Sequence, residues 1–204
     1  MLEVNYDSGM ARSTWSQVAA LAQERHHYLL ASRAIGEQGI AAFFLGDIAT
    51  AKKSVIKAWT VAKIADPAAR IRYASVYGAG LVELRKYKEA LGPLDEAIKV
   101  AKNKPGAAYP TIAINAKIEA LSGLGRNEEA LTLASESIQR ASSYHLAGHL
   151  YELYRTRAGV YEQMGQRSQA VSDYAGSIRY AKQLSYWRGI AQVDGSLATV
   201  APTI

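Results

Sequence analysis

The chain has 204 residues, 49% of them apolar, with 24 Lys or Arg against 18 Asp or Glu and no cysteine. That composition supplies material for a folded core and excludes disulfides and thiolate metal sites. No run approaches the roughly 18 apolar residues of a membrane helix. The start, Met1-Leu2-Glu3-Val4-Asn5-Tyr6-Asp7, lacks the basic residues and apolar stretch of a signal peptide, so a cytoplasmic setting is expected.

In chain order, Trp15, Val18, Ala19 and Ala22 keep helical spacing and predict a leading helix over Ala11–Ala22. Helix pairs follow. Their first members are expected at Tyr28–Leu45, Ala69–Leu84, Tyr109–Leu124 and Leu146–Met164. The second members are expected at Ile48–Ala65, Tyr87–Lys102, Asn127–Ala141 and Ser168–Leu184, with a last helix over Trp187–Val200. Breaks fall at Asp66-Pro67, Lys104-Pro105-Gly106 and Tyr109-Pro110, and at Gly46, Gly125 and Gly165 inside the pairs. No strand pattern competes, and the class is all-α.

The pairs repeat. Leu84-Arg85-Lys86-Tyr87-Lys88-Glu89-Ala90-Leu91 returns as Leu124-Gly125-Arg126-Asn127-Glu128-Glu129-Ala130-Leu131 and as Met164-Gly165-Gln166-Arg167-Ser168-Gln169-Ala170-Val171. Leu45-Gly46-Asp47-Ile48-Ala49-Thr50-Ala51 is an earlier copy, so the unit is about 40 residues long. Stacked on this spacing, the first helices align Gly39, Gly78, Ile118 and Ala158, then Ala42, Leu81, Leu121 and Tyr161. The second helices align Ala51, Ala90, Ala130 and Ala170, then Val55, Leu94, Ala134 and Tyr174, then Ala58, Ala97, Ser137 and Ser177.

This order of small, bulky, Gly, Ala, bulky, Ala resembles the tetratricopeptide repeat family over Tyr28–Leu184, with Arg85 standing where the pattern has a turn glycine. The usual unit is about 34 residues, so the resemblance is to a long-repeat form, such as the arrays of bacterial regulators, scaffold proteins and kinesin light chains. A HEAT or armadillo array has a period near this length but would not be expected to place alanine and glycine at these recurring sites. The resemblance implies a right-handed superhelical α-solenoid of antiparallel helix pairs. Residues 1–27 would form a leading partial repeat, 28–184 four helix pairs, and 185–204 a capping helix or truncated fifth repeat.

It also implies that the first helices line a concave groove for a peptide or protein segment. Faces not used for packing offer Arg33, Glu37, Ile40 and Phe44 in the first repeat, and Arg72, Ser75, Val76 and Ala79 in the second. The third offers Ile112, Asn115 and Glu119, and the fourth Glu152, Arg155, Thr156 and Gly159. Apolar anchors with arginines at one edge suit an apolar segment carrying an acidic flank. The lysine, asparagine and arginine set with which the chaperone-binding branch holds a C-terminal carboxylate is absent: Gly36, Ile40, Val76, Ile112 and Ala116 stand at the matching sites.

Other chemistries find little support. His145, His149 and Glu152 have metal-ligand spacing only if their helix begins early, and His145 lies at the Ser142-Ser143 join; two polar residues at a helix start explain them better. There is no Gly-x-Ser-x-Gly elbow, phosphate loop or cysteine nucleophile, and Tyr77-Gly78-Ala79-Gly80 lies within a helix. No catalytic residue, metal or cofactor is therefore assigned, and the chain is read as a non-enzyme. Between Lys52 and Lys104 there are twelve Lys or Arg against five Asp or Glu. Lys52, Lys53, Lys57, Lys88, Lys99 and Lys102 fall on second helices, the convex side in the family, which argues for a solvated face over nucleic-acid binding.

The function expected is a protein-interaction module. The alternative is a sensor or regulatory segment of a larger bacterial signalling or transcription protein, in keeping with a chain that ends abruptly after a helical pattern. The last helix presents Trp187, Ile190, Val193, Leu197 and Val200 as an apolar stripe. Solenoid ends need polar caps, so the chain is expected as a monomer or an end-to-end homodimer.

Overall fold

The computed structural model describes residues 8–103, 109–186, 189, 190, 193, 194 and 196, and leaves the side chains of 63–65 undescribed. Among these residues there are nine helices and no strand: α1 (Ser8–Glu24), α2 (Tyr28–Phe44), α3 (Ile48–Ala65), α4 (Pro67–Glu83), α5 (Tyr87–Lys102), α6 (Thr111–Gly123), α7 (Asn127–Ser143), α8 (Ala147–Gln163) and α9 (Arg167–Gln183). The predicted last helix lies partly outside the described residues, as do Trp187, Leu197, Val200, Lys104 and Met1–Asp7. Within it Ile190 and Val193 are helical, and Val193 is fully buried.

Five helix starts differ from expectation: α1 begins at Ser8 rather than Ala11, α8 and α9 shift by one residue, and the two at prolines have a clear cause. Helix α4 begins at Pro67 rather than Ala69, because the Asp66 carboxylate accepts from the Ala69 amide (3.1 Å) and proline at the first position has no N–H to satisfy. Helix α6 begins at Thr111 rather than Tyr109; the residue before a proline is pushed out of helical backbone, and here Pro110 itself remains outside the helix.

Among the described residues seven turns share one geometry. A residue in left-handed backbone follows the helix, and the next amide reaches the carbonyl five residues back, as in Asp47 to Ala42 (2.9 Å), Lys86 to Leu81 (2.8 Å) and Tyr186 to Ala181 (2.9 Å). Gly46, Gly125 and Gly165 fill this position as expected, but so do His26, Arg85, His145 and Ser185. Arg85 thus adopts the glycine conformation at φ 57° and bears its cost.

The chain divides into two compact units, Met1–Gly80 with Gly92–Pro110, and Leu81–Leu91 with Thr111–Ile204. In the first, α2 packs on α1 and α3, and Ala34, Ile35, Val55, Ala58 and Tyr73 belong to one cluster. In the second, α6 packs on α7 and also on α8, so consecutive first helices touch, and α8 packs on α7 and α9. Tyr151, Ala158, Ala170, Tyr174 and Val193 form its cluster.

The alanine register is where the sequence places it. Ala51, Ala90, Ala130 and Ala170 are buried, as are Val55, Leu94, Ala134 and Tyr174 four residues on. The aligned first-helix site is small in three repeats, with Ile118 the exception, and at Gly78 a Cβ would run into the Leu94 side chain. Each fully buried leucine or valine at such a crossing contributes roughly 1.5–3 kcal/mol.

Candidate functional site

In the first unit, α2 carries Arg33, Glu37, Ile40 and Phe44 at spacings of about one turn, and α4 carries Arg72, Ser75 and Val76. Most of these polar groups satisfy one another. The Arg33 guanidinium donates to Asp66 (2.8 Å), and Arg72 holds Glu37 with two bonds (2.8 and 3.1 Å). The buried Tyr73 hydroxyl adds a bond to the Arg33 carbonyl and lies 3.2 Å from Glu37. Burial alone would raise the Asp66 pKa; the Arg33 guanidinium and the Ala69 and Ala68 amides outweigh it and hold the carboxyl low.

Three candidates there are wholly or partly buried. Ser75 is buried and donates to the carbonyl of Ile71, one turn back (2.6 Å), so its hydroxyl serves its own helix. Ile40 and Val76 are half-buried against the core cluster. Phe44 is 66% exposed, with its ring edge-on to Phe43.

The second unit differs. Asn115 and Glu119 are one turn apart on α6; Glu152, Arg155 and Thr156 span one turn of α8, which packs directly on α6. Ile112, in the first turn of α6, is 51% exposed. Arg155 donates one bond to Glu152 (3.0 Å). Three buried polar atoms among the described residues have no hydrogen-bond partner: Asn115 Oδ1, Arg155 Nε and Thr156 Oγ1. All three belong to this cluster.

Glu119 is accessible at its surface yet hemmed in by protein, and its environment pushes its pKa up. Desolvation is the main cause; Arg155 opposes it, and the carboxylates of Glu83 and Glu152 add to it. Glu83 was not among the residues expected from sequence. Repeat alignment does not stack these acids: Glu83 lies five residues after Gly78, Glu119 one after Ile118, and Glu152 six before Ala158. Their positions along the aligned helices differ, so repeat alignment does not pair them.

The remaining polar features are structural. Arg157 grips Asp173 with two bonds (2.6 and 2.8 Å), gives a third to Ser135 (2.9 Å), and lies over the rings of Tyr154 and Tyr161. Arg70 and the Trp59 indole share the Glu96 carboxylate (2.6 and 3.2 Å). His149 meets the Thr111 hydroxyl and is pushed to lower pKa by burial, while His145 occupies the left-handed turn before α8. No three His, Cys, Asp or Glu among the described residues are grouped to hold a metal. The side chains of Lys52, Lys53, Lys57, Lys88, Lys99 and Lys102 are exposed on α3 and α5. No helix of the described residues is long and apolar enough to cross a membrane.

No protein-family model matches the sequence, and no curated protein sequence matches it. Solved structures do. BtubC (BKLC) from P. vanneervenii superposes with a TM-score of 0.65 at 10% identity, covering 98% of this chain and 96% of that one. MamA AMB-1 gives 0.53 at 20% identity over 85% and 98%, and PilW, a widely conserved type IV pilus biogenesis factor, gives 0.54 at 15% over 96% and 94%. MamA and PilW are tetratricopeptide-type helical-repeat proteins. The fold is all-α and tetratricopeptide-like.

Proposed function

We propose that this chain is a non-catalytic interaction module that binds a peptide or protein segment along the open faces of its first helices. One observation carries the reading. Buried polar atoms are nearly always hydrogen-bonded, and the three among the described residues that lack a partner, on Asn115, Arg155 and Thr156, all lie on α6 and α8, two helices that pack on each other. Interface side chains commonly change rotamer on binding, and a segment that displaces the atoms now covering these groups would supply the missing donors and acceptors. Phe44 offers an apolar anchor in the first unit, since exposed aromatic side chains carry much of the energy of such contacts. The arginines expected to seek an acidic flank, Arg33 and Arg72, are already paired with Asp66 and Glu37, which weakens that part of the expectation.

The test is affinity capture from source-cell lysate in moderate salt, comparing the native chain with Phe44→Glu and Thr156→Val after circular dichroism shows all three folded. A protein kept by the native chain and lost from both variants supports the reading. Material captured equally by all three and released by salt would instead belong to the exposed lysines, whose screened attraction fades with ionic strength.

A further inference from the structure

We propose that the turn joining α2 and α3 docks this protein on an anionic lipid surface, with Phe43, Phe44 and Ile48 entering the bilayer interface and Lys52 and Lys53 meeting its charge. This goes beyond the interaction-module reading and does not rest on it. Phe43 and Phe44 close α2 and Ile48 opens α3; they are 42%, 66% and 39% exposed. Met10, 68% exposed, comes to the same end, because Arg12 in the next turn of α1 lies 3.3 Å from Asp47. The turn does not need such side chains in order to form. At the aligned positions of the other three repeats, Glu83, Gly123 and Gln163 stand where Phe44 does, and Tyr87, Asn127 and Arg167 where Ile48 does. Leu45, by contrast, recurs as Leu84, Leu124 and Met164 and belongs to the turn itself.

The charge around these apolar groups is basic. Helix α3 contains no acidic residue, and its Lys52, Lys53 and Lys57 are exposed and make no ion pair among the described residues. Asp47 is the one acid of the turn, and its carboxylate is taken up by Arg12 and by the Thr50 amide (3.1 Å). The lysines are as particular to this repeat as the phenylalanines: Leu91, Leu131 and Val171 align with Lys52, and Gly92, Thr132 and Ser172 with Lys53. At about 1.5 Å per residue, Lys52 and Lys53 stand about 6–8 Å behind Ile48 along the helix. Interfacial segments bury their apolar side chains to about that depth, roughly 5–10 Å. With Ile48 at the acyl boundary, the ammonium groups therefore lie among the headgroup phosphates. A lipid surface takes an apolar tip and a basic flank together and in that order, and the two signals combined give firmer attachment than either alone. No helix among the described residues is long and apolar enough to cross a membrane, so the contact is peripheral.

Vesicle co-sedimentation of the full chain tests this, comparing phosphatidylcholine vesicles with vesicles in which about a third of the lipid is phosphatidylserine. Phe44 is shared with the interaction-module reading and stays unaltered in every variant. The expected result is binding to the anionic vesicles alone. It should fall about fivefold for each of Lys52→Gln and Lys53→Gln, and about tenfold or more for Phe43→Ser with Ile48→Ser. The Ile48→Trp chain should gain a blue-shifted emission on these vesicles, quenched by brominated acyl chains. Equal binding to neutral vesicles overturns the proposal, as does unchanged binding in either set of variants, or a tryptophan at position 48 that brominated lipid leaves unquenched. So does binding of soluble polyglutamate lost in the same variants, which would make an acidic protein segment the occupant. Self-association in sedimentation equilibrium that disappears with Phe43→Ser and Ile48→Ser would overturn it in favour of a second copy. Vesicle binding by a chain that retains no lysate protein would uphold the lipid contact while the interaction module falls.

Discussion

Thr156→Val separates a binding hydroxyl from a structural one. The residue is 6% exposed, on α8, and its Oγ1 has no hydrogen-bond partner. A buried hydroxyl left unpaired costs about 1–3 kcal/mol in desolvation. Valine has nearly the same shape and a similar helix propensity, so the substitution removes the penalty without opening a cavity. The variant should be more stable by about 1–3 kcal/mol by urea unfolding, with an unchanged denaturant slope. Ser177 and Ser32 are the internal controls, since their buried hydroxyls donate to the carbonyls of Tyr151 and Ala58, both at 2.9 Å. Ser177→Ala and Ser32→Ala should each lose about 0.5–1.5 kcal/mol, the net worth of one hydrogen bond. Binding must move the other way: Thr156→Val should hold its partner less tightly while being the more stable protein, the trade-off expected where a site is kept unsatisfied for a ligand. A loss of stability in Thr156→Val would refute the argument, because it would mean the hydroxyl is bonded in the native state. Raised stability with unaltered partner affinity would place the unpaired hydroxyl outside the binding surface.

Four other outcomes follow from particular contacts. Glu119→Gln should stabilise at neutral pH and be without effect in acid. The folded pKa is raised, so the native carboxyl's favourable balance is complete below the ordinary glutamate value and is lost as pH rises through the folded one; melting temperatures of the two proteins from pH 4 to 7 should diverge upward. Asp66→Asn has the opposite window: the lowered carboxyl contributes above its ordinary pKa and its contribution disappears in acid, so the variant's deficit should be present at pH 7 and vanish on acidification. Arg85→Gly should gain about 0.5–1 kcal/mol by urea unfolding, relief of the left-handed strain less the greater freedom of glycine in the unfolded chain. Arg157→Leu should cost about 3–5 kcal/mol by leaving Asp173 buried and unpaired, whereas Arg157→Leu with Asp173→Leu should recover most of it; equal and additive losses would deny the coupling.

The fold was legible because packing constrains side-chain size at fixed intervals. Ala90, Ala130 and Ala170 have no exposed surface, and a larger side chain at any of them would need its neighbours to move, so the alanines repeat where helices cross. The turns were half legible. Gly46, Gly125 and Gly165 announce the left-handed residue, but His26, Arg85, His145 and Ser185 adopt the same backbone with nothing in their chemistry to say so. The candidate face was less readable still. Periodicity gives a helix face to within a residue or two, which is enough to turn Ser75 into the core and to leave Ile40 and Val76 half-buried. Glu83 was invisible for a different reason. Its charge bears on Glu119 from a different position along the aligned helices, and repeat alignment sees only equivalent positions.

Arg155 and Arg157 are both half-buried arginines on the same helix, yet their hydrogen bonding differs. Arg157 has all three guanidinium nitrogens bonded, to both oxygens of Asp173 and to Ser135, with two tyrosine rings against it. Three of its five donors are spent inside the fold, and its work is to hold α8 against α9. Two residues earlier, Arg155 turns to the other side of the helix, spends one nitrogen on Glu152, and keeps Nε buried without an acceptor. Desolvation opposes its charge, and the Glu152 carboxylate outweighs that. A side chain held charged, desolvated and incompletely bonded costs free energy that α8 does not need for packing, since Leu150, Leu153, Ala158 and Val160 already bury its apolar side. The clamp at Arg157 fixes the helix, and the incomplete face at Arg155 is what the fixed helix presents.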